Sequence, residues 1–398
     1  MVPKNLNQSC FQVAVVLDIS GESARGIMRG ILRFVRENVP WNITYISSSV
    51  SNVDSSTLKS WRGDGIITRV TREETFRQIL SMRCPAILLS EESYAIPPRC
   101  RHQPVFVRCE DFSVGQMAAE YFLSHDLRSF AIVPNNVQHA WSRHRCEGFT
   151  STLEKAGFKV SEFPCSSEWK IFTTSDWLAE RKKLVRWLLN LPKPVGILAA
   201  NDFRGRQVLE ACQLAGIPVP YQASVLGVNN DELVCQMSYP SLSSIVVDWE
   251  KAGYIAASAL QARMTGATLP RSLSYGPLKV ISRGSTDRLQ VADPLVVKIL
   301  ETIRINHGQN LRVNDIARML KVPVRTAQLR FRNAVGHTII DEIKSVRMRF
   351  VCDLLTGTDL TIAEIARRCG FENSTYLTQA FRQEFGMTMT QWRGNGES

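Results

Sequence analysis

The sequence predicts a two-lobed α/β domain followed by an all-α domain built from two helix-turn-helix units. Three observations carry this. From residue 11 to residue 282, short β-branched runs alternate with amphipathic stretches, the pattern of parallel sheets with crossover helices. That pattern lasts about 270 residues, too long for one such sheet and suited to two similar lobes. Near the C-terminus, two motifs recur at an almost constant offset.

The strands come first. Val13–Leu17, Thr44–Ile46, Gly65–Ile67, Ala86–Leu89, Val105–Val107, Phe130–Val133, Gly196–Ala199 and Val225–Gly227 are short apolar or β-branched runs of strand length. Helical patterns lie between them, near Ile27–Glu37, Val114–Ser124, Cys146–Ala156 and Arg206–Ala215. Sheets of this kind bind ligands beyond the carboxyl ends of their strands.

The repeat comes next. Asp315-Ile316-Ala317-Arg318 returns as Glu364-Ile365-Ala366-Arg367, and Phe331-Arg332 with Gly336 and Thr338 returns as Phe381-Arg382 with Gly386 and Thr388. In each copy a polar cap, Asn314 or Thr361, precedes a short helix whose Ile and Ala face inward. A tight turn follows, Lys321-Val322-Pro323 in one copy and Cys369-Gly370-Phe371 in the other. Gly370 suits a left-handed turn, and Pro323 the start of the next helix. The second helices are predicted over Val324–Val335 and Ser374–Phe385, with a long helix of about Ile339–Leu355 joining the units. Ala327, Phe331, Leu377 and Phe381 point inward. That leaves Arg325, Gln328, Arg332, Ser374, Thr375, Thr378, Gln379 and Arg382 outward, and short polar residues, Gln and Arg match base-edge donors and acceptors.

Over about residues 292–394 this repeat resembles the double helix-turn-helix of the AraC-type regulators. The most specific stretch runs from Gly370-Phe371-Glu372-Asn373-Ser374 through Phe381-Arg382 and Gly386-Met387-Thr388 to Trp392-Arg393. The family usually has Pro where Met389 stands. The resemblance implies DNA contacts from Arg325, Thr326, Gln328, Asn373, Ser374, Thr375, Thr378 and Gln379, with Arg330, Arg332 and Arg382 at phosphates.

The first part resembles the effector-binding domain of the LacI/GalR regulators, and so a periplasmic sugar-binding protein. The likeness rests on several segments in order. Arg145 with Gly148-Phe149 opens a helix; Ala200-Asn201-Asp202-Phe203 ends a strand; Gly216-Ile217-Pro218-Val219-Pro220 closes the following helix. Val225-Leu226-Gly227-Val228-Asn229-Asn230 makes the next strand and its ligand-facing loop, Pro240-Ser241-Leu242-Ser243-Ser244-Ile245 the crossover between lobes, and the stretch from Pro277 to Thr286 the closing segment. The implied fold is a two-lobed periplasmic-binding-protein-like α/β domain followed by an all-α double helix-turn-helix domain. Its regions are a sensor over 1–285, a linker over 286–294 and a reader over 295–398. The small N-terminal helix-turn-helix of such repressors is missing, and a LacI-like sensor ahead of an AraC-like reader is the arrangement of the bacterial xylose-responsive activators.

Neutral sugars are held by Asp, Asn and Arg around their hydroxyls and by an aromatic ring on their apolar face. Asp18 is either such a ligand or the cap of the helix that starts near Gly21. Asp202 is a ligand or a cap, Arg145 a ligand or half of a surface ion pair, and Asn229 a ligand or a turn residue. Trp141 stacks on the sugar or packs in the core, and Asp248 approaches the cleft from the crossover. The ligand class is a sugar, with a pentose such as xylose favoured by the resemblance, or a purine or amino acid.

Composition narrows the function. Hydrophobic content of 44% with 21% charged residues is that of a globular chain. The net charge of +11 favours a polyanion such as double-stranded DNA, yet it is spread evenly and does not locate the DNA-binding end. No apolar run is long enough to span a bilayer, the first ten residues are too polar for a signal peptide, and the ten cysteines form no Cys-x-x-Cys pair. A cytoplasmic homodimer with reduced thiols is expected, acting on an operator and on RNA polymerase. Gly21-Glu22-Ser23-Ala24-Arg25-Gly26 has no nucleotide-loop spacing, no Gly-x-Ser-x-Gly elbow exists, and the six His form no cluster. No catalytic residue, metal or cofactor is expected. A phosphoacceptor receiver modified at Asp18 needs only about 120 residues, less than half the α/β part.

Overall fold

The computed structural model describes residues 10–38, 40–47, 61–69, 73–90, 92, 96, 103–135, 139–164, 174–287, 293–306, 310–371 and 373–395. The polar N-terminal stretch, most of the expected linker and Glu372 of the family stretch lie outside them. The chain forms two compact units, Met1–Asp287 and Arg288–Ser398.

The first unit holds two six-stranded sheets. One is built from β1 (Phe11–Leu17), β2 (Trp41–Ser47), β3 (Gly65–Arg69), β4 (Ala86–Leu89), β5 (Val105–Cys109) and β11 (Ser272–Tyr275), in the order β11-β5-β4-β3-β1-β2. The other takes β6 (Ser129–Val133), β7 (Val160–Glu162), β8 (Val195–Ala199), β9 (Ala223–Val228), β10 (Ser243–Val247) and β12 (Pro277–Ile281), in the order β12-β10-β9-β8-β6-β7. Every pairing is parallel except β10 with β12. In the first lobe Val13, Val15 and Leu17 join one core cluster while Ala14 and Val16 join another. Covered on both faces, these strands read as unbroken apolar runs, which is why they stand out in the sequence.

Helices α1 (Glu22–Glu37) and α2 (Glu73–Leu80) belong to the first lobe, followed by α3 (Asp111–Ser124), α4 (Ala140–Lys155), α5 (Thr174–Asn190), α6 (Asp202–Leu214) and α7 (Glu232–Met237) in the second; α8 (Trp249–Met264) returns to the first. The chain thus changes lobe three times: between β5 and α3, between β10 and α8, and between β11 and β12. These passages are tied together. Glu110 N–H donates to Tyr275 O at 2.7 Å, Asp248 N–H to Gly276 O at 3.1 Å, and Ser274 Oγ to Glu110 Oε1 at 2.8 Å. The second crossover therefore lies at Asp248. The Pro240–Ile245 stretch, expected to cross, stays in the second lobe, because Ser243–Ile245 pairs in parallel with Leu226–Val228.

Each lobe packs one helix pair at backbone contact. A Cβ on Gly30 would strike Glu250 O and one on Gly253 would strike Ile27 O, joining α1 to α8. Likewise Gly115 and Gly148 let α3 and α4 meet at Arg145 O and Phe112 O. Only hydrogen in place of a side chain permits this approach.

The second unit contains α9 (Pro294–Ile305), α10 (Val313–Met319), α11 (Val324–Val335), α12 (Ile339–Gly357), α13 (Ile362–Arg368), α14 (Ser374–Phe385) and α15 (Met389–Asn395). The second helices of both repeats match their expected bounds, and Thr361 caps α13 with Glu364 completing a reciprocal capping box. Asn314 is not a cap: the Asp315 carboxylate reaches back to Arg312 N–H at 3.1 Å, so α10 starts before it. Gly370 takes φ +70°, and the matching residue of the first repeat, Lys321, takes φ +54°. Met389, standing where the family has Pro, opens α15 and is buried.

Candidate functional site

Strand ends place the first set of candidate residues. Asp18 follows β1 and accepts a hydrogen bond from Ser20 N–H at 3.0 Å; the α1 cap is Gly21, so Asp18 closes a local turn and is not the helix cap. Its carboxylate remains half-buried at the cleft end of the strand. Arg69 ends β3, donates to Ser23 Oγ at 3.1 Å and lies over the Trp249 ring at 5.5 Å.

On the other side, Trp141 and Arg145 occupy the first turns of α4. That helix starts at Ala140, earlier than Arg145, because Glu92 of the opposite lobe accepts from Ala140 N–H at 2.9 Å. His139, the preceding residue, has no side-chain cap of its own. Burial lowers the His139 imidazole, an effect that Glu92 opposes without overcoming, so the ring is neutral at pH 7 and stacks on Trp141. Arg145 lies 4.8 Å from the Trp141 centroid and is only 2% exposed. Its guanidinium donates to Asp111 Oδ1 and to Ala200 O, both at 2.7 Å, so its ion pair is buried and not on the surface.

The loop after β9 is the most constrained part. Asn229 and Asn230 both adopt positive φ, +107° and +52°. Asn229 Oδ1 is buried with no partner among the described residues. Asp202 is 1% exposed and both oxygens are engaged: Ser244 Oγ donates to one at 2.5 Å and Asp231 N–H to the other at 2.7 Å. Burial pushes its carboxyl up to about 7. The cap of α6 is Asn201, so Asp202 is neither that cap nor exposed toward the cleft; it holds the β9 loop. Asp248 caps α8 through Lys251 N–H at 3.0 Å. Sequence reasoning missed Asp231, whose carboxylate accepts from Glu22 N–H at 3.0 Å and Arg25 Nη2 at 3.2 Å in the opposite lobe. It also missed Glu92 and Arg69. Their place at strand ends was the available signal, but neither sits in a recognisable motif.

In the second unit Arg325, Thr326, Gln328 and Arg332 are exposed on α11, and Thr375, Thr378, Gln379 and Arg382 on α14. Ala327, Phe331, Leu377 and Phe381 fill the core beneath. Ser374 is half-buried. Asn373 accepts from Tyr376 N–H at 2.8 Å and so caps α14. Arg330 is held by Asp293, the cap of α9, at 2.7 and 2.5 Å, which ties it to its own unit. Two residues unforeseen in the sequence join the outer faces: Leu329, 60% exposed one turn from Arg325, and Tyr376. The 3.6-residue period places Leu329 there, two positions from each of the buried Ala327 and Phe331.

Comparison with known proteins agrees with both halves. Residues 119–286 match the periplasmic binding protein-like domain and residues 316–395 the helix-turn-helix domain. The chain is 27% identical to the xylose operon regulatory protein of Haemophilus influenzae over 98% of its own length and all of that protein. It is 24% identical to the protein of the same description from Escherichia coli K12, over 93% of each chain. A solved structure of a xylose-binding transcription activator superposes with a TM-score of 0.84 at 21% identity, covering 97% of this chain and 98% of the other. The chain therefore joins a periplasmic binding protein-like domain to a C-terminal helix-turn-helix domain, the make-up of a sugar-responsive DNA-binding transcription regulator.

Proposed function

We propose that the cleft of the first unit takes a neutral pentose, xylose being the favoured one, and that its occupancy controls how a homodimer engages its operator and RNA polymerase in the cytoplasm. The observation that carries this is the Asn229 side chain. A buried amide oxygen without a partner among the described residues, at a strand's carboxyl end, calls for a donor, and a sugar hydroxyl supplies one. Trp141 offers an apolar face, and Asp18 and Arg145 further polar groups. Because Arg145 is already neutralised by Asp111, that candidate contact brings no unpaired positive charge for a carboxylate or phosphate. That argues for a neutral polyol over an amino acid. Asp202 serves by positioning the loop, and Asp248 by capping at the crossover. The names of the full-length relatives point to xylose.

In the reader, Arg325, Gln328, Thr375 and Gln379 meet base edges, Leu329 meets a thymine methyl, and Arg332 and Arg382 meet phosphates. Thr326, Ser374, Thr378 and Asn373 line the same faces. The 19-residue α12 is about 28 Å long, near one turn of B-DNA, so the two reading helices suit successive major grooves. No chemical step is assigned to the sugar, which leaves the protein unchanged.

A thermal-shift screen with pentoses, hexoses, purines and amino acids tests the reading, since a ligand of the folded state raises the melting temperature. Xylose raises it; Asn229→Gly, which keeps the positive φ accessible, removes the shift without unfolding the protein. A shift from a purine or amino acid and from no sugar refutes it.

A further inference from the structure

The last residues of the first unit are anchored more heavily than a connecting segment requires. Ser285 Oγ donates to Val225 O at 2.6 Å, and Ser243 N–H donates to Ser285 Oγ at 2.8 Å. Thr286 Oγ1 donates to Ser243 Oγ at 2.7 Å and lies 2.8 Å from Tyr121 OH on α3. Ser285 and Thr286 are buried, and Arg288 opens the second unit.

Within this segment Arg283 points back toward the β9 loop. Its backbone is held on both sides by Ser243 Oγ, which accepts from Arg283 N–H at 2.7 Å and donates to Arg283 O at 3.1 Å. Its guanidinium donates to Leu242 O at 3.0 Å, Asn230 Oδ1 at 2.8 Å and Glu232 Oε2 at 2.6 Å. Asn230 and Glu232 flank Asp231, the residue that receives Glu22 N–H and Arg25 from the opposite lobe. One planar fork thus joins the loop that touches the other lobe to the segment that leads to the reader.

We propose that Arg283 is a positioning residue that couples the state of the cleft to the DNA reader, through Asn230 and Glu232 on one side and the Ser243–Ser285–Thr286 hydroxyl network on the other. Rearrangement of the β9 loop on lobe closure pulls on the fork. Three hydrogen bonds from one rigid plane carry that displacement where a single flexible contact would absorb it. The exit segment, locked to β9 and β10, passes it to the start of the second unit. A lysine at this position carries its donors on one freely rotating ammonium, fixes no such plane and transmits less. The ligand arm of this inference rests on the sugar reading of the cleft; the mechanical link does not.

Two measurements on the full-length protein separate them. The first is amide hydrogen exchange without ligand, comparing the wild type with Asn230→Gly, which removes one of the three Arg283 acceptors while tolerating φ +52°. Exchange across residues 283–287 rises at least severalfold if the fork holds the exit segment; unchanged exchange overturns the link, whatever the cleft binds. The second is affinity for a DNA fragment selected from a random pool, with and without xylose, where coupling between two sites is typically about 5–150-fold. Arg283→Gln brings that ratio near one while xylose affinity stays within about threefold; Asn230→Gly brings it near one as well, and the double variant changes nothing further, because Arg283→Gln already removes the contact to Asn230. Ratios equal to that of the wild type, or additive losses in the double variant, overturn the proposal. A wild type insensitive to xylose whose Asn230→Gly variant still loosens residues 283–287 sinks the sugar reading and leaves the mechanical link standing.

Discussion

Replacing Gly148 by Ala tests whether the backbone contact of α3 with α4 sets the proposed sugar site. A Cβ at this position would lie 2.8 Å from Phe112 C and nearer still to Phe112 O, whereas real Cβ atoms essentially never come within 3.0 Å of another heavy atom. The obstacle is backbone, so α4 retreats from α3 by on the order of 1 Å, because packed interiors do not compress to absorb it. A gap of that size forfeits about a quarter to a half of each dispersion contact it opens. Val114, Ala118, Phe122, Phe149 and Leu153 lie buried on this helix pair. Overpacking of this kind costs about 1–3 kcal/mol, or a fall in melting temperature of roughly 2–10 °C for a unit of this size. The functional effect is larger in proportion. Arg145 stands one turn before Gly148, its Nε 2.7 Å from Asp111 on the partner helix, and Trp141 two turns before. A 1 Å displacement breaks both alignments, and xylose affinity falls on the order of tenfold or more. Calorimetry and titration of the full chain measure both quantities, with exposed Glu147→Ala on the same helix as the control. A Gly148→Ala protein that melts with the wild type and binds xylose within twofold refutes the reasoning.

Other expectations follow from single residues. Lys321 holds a left-handed conformation that Gly adopts without strain, so Lys321→Gly raises the stability of the second unit by about 0.5–1 kcal/mol and Gly370→Ala lowers it by a similar amount; a calorimetric transition that moves the opposite way is the counter-result. The Asp202 carboxyl, raised to about 7 in the fold against an ordinary 3.8, keeps a proton that the unfolded chain releases. Its contribution is therefore full below pH about 4, declines as pH rises through about 7 by on the order of 4 kcal/mol, and is flat above; Asp202→Asn flattens that part of the stability profile, and an unaltered profile contradicts the assignment. Arg325→Ala costs about 1–3 kcal/mol on the selected DNA and little on random DNA. Arg332→Ala weakens both alike and lowers the salt slope by about one, as filter binding over a salt series shows; equal losses on random DNA for Arg325→Ala reverse the roles.

Much of the fold was legible because its signals are local. All eight expected strands lie within observed ones, since buried parallel strands are continuous apolar runs. β10 went unread because it begins with Ser243-Ser244, hydroxyls buried against Thr286 and Asp202. β7 and β12 are edge strands with polar or exposed positions and no clean alternation, and β11 is an edge strand of only four residues, too short for its Ser-Leu-Ser-Tyr alternation to stand out.

The site was legible only in part. The sequence by itself determined the two reading helices and their inward faces, because a repeat near 50 residues and a 3.6-residue period are properties of the chain alone. It also placed Trp141, Arg145 and Asn229 in segments that meet at strand ends. Tertiary structure decided which polar groups are used up internally. Asp248 and Asn373 became caps, Arg330 was bound by Asp293 from 37 residues away, and Asp202 was enclosed by Ser244 and the β9 loop. It also brought Asp231 to Glu22 and Arg25 across more than 200 residues. A period along the chain reports which face of an element is buried. The partner of a carboxylate depends on which distant segments the topology makes neighbours, and no spacing along the sequence records that.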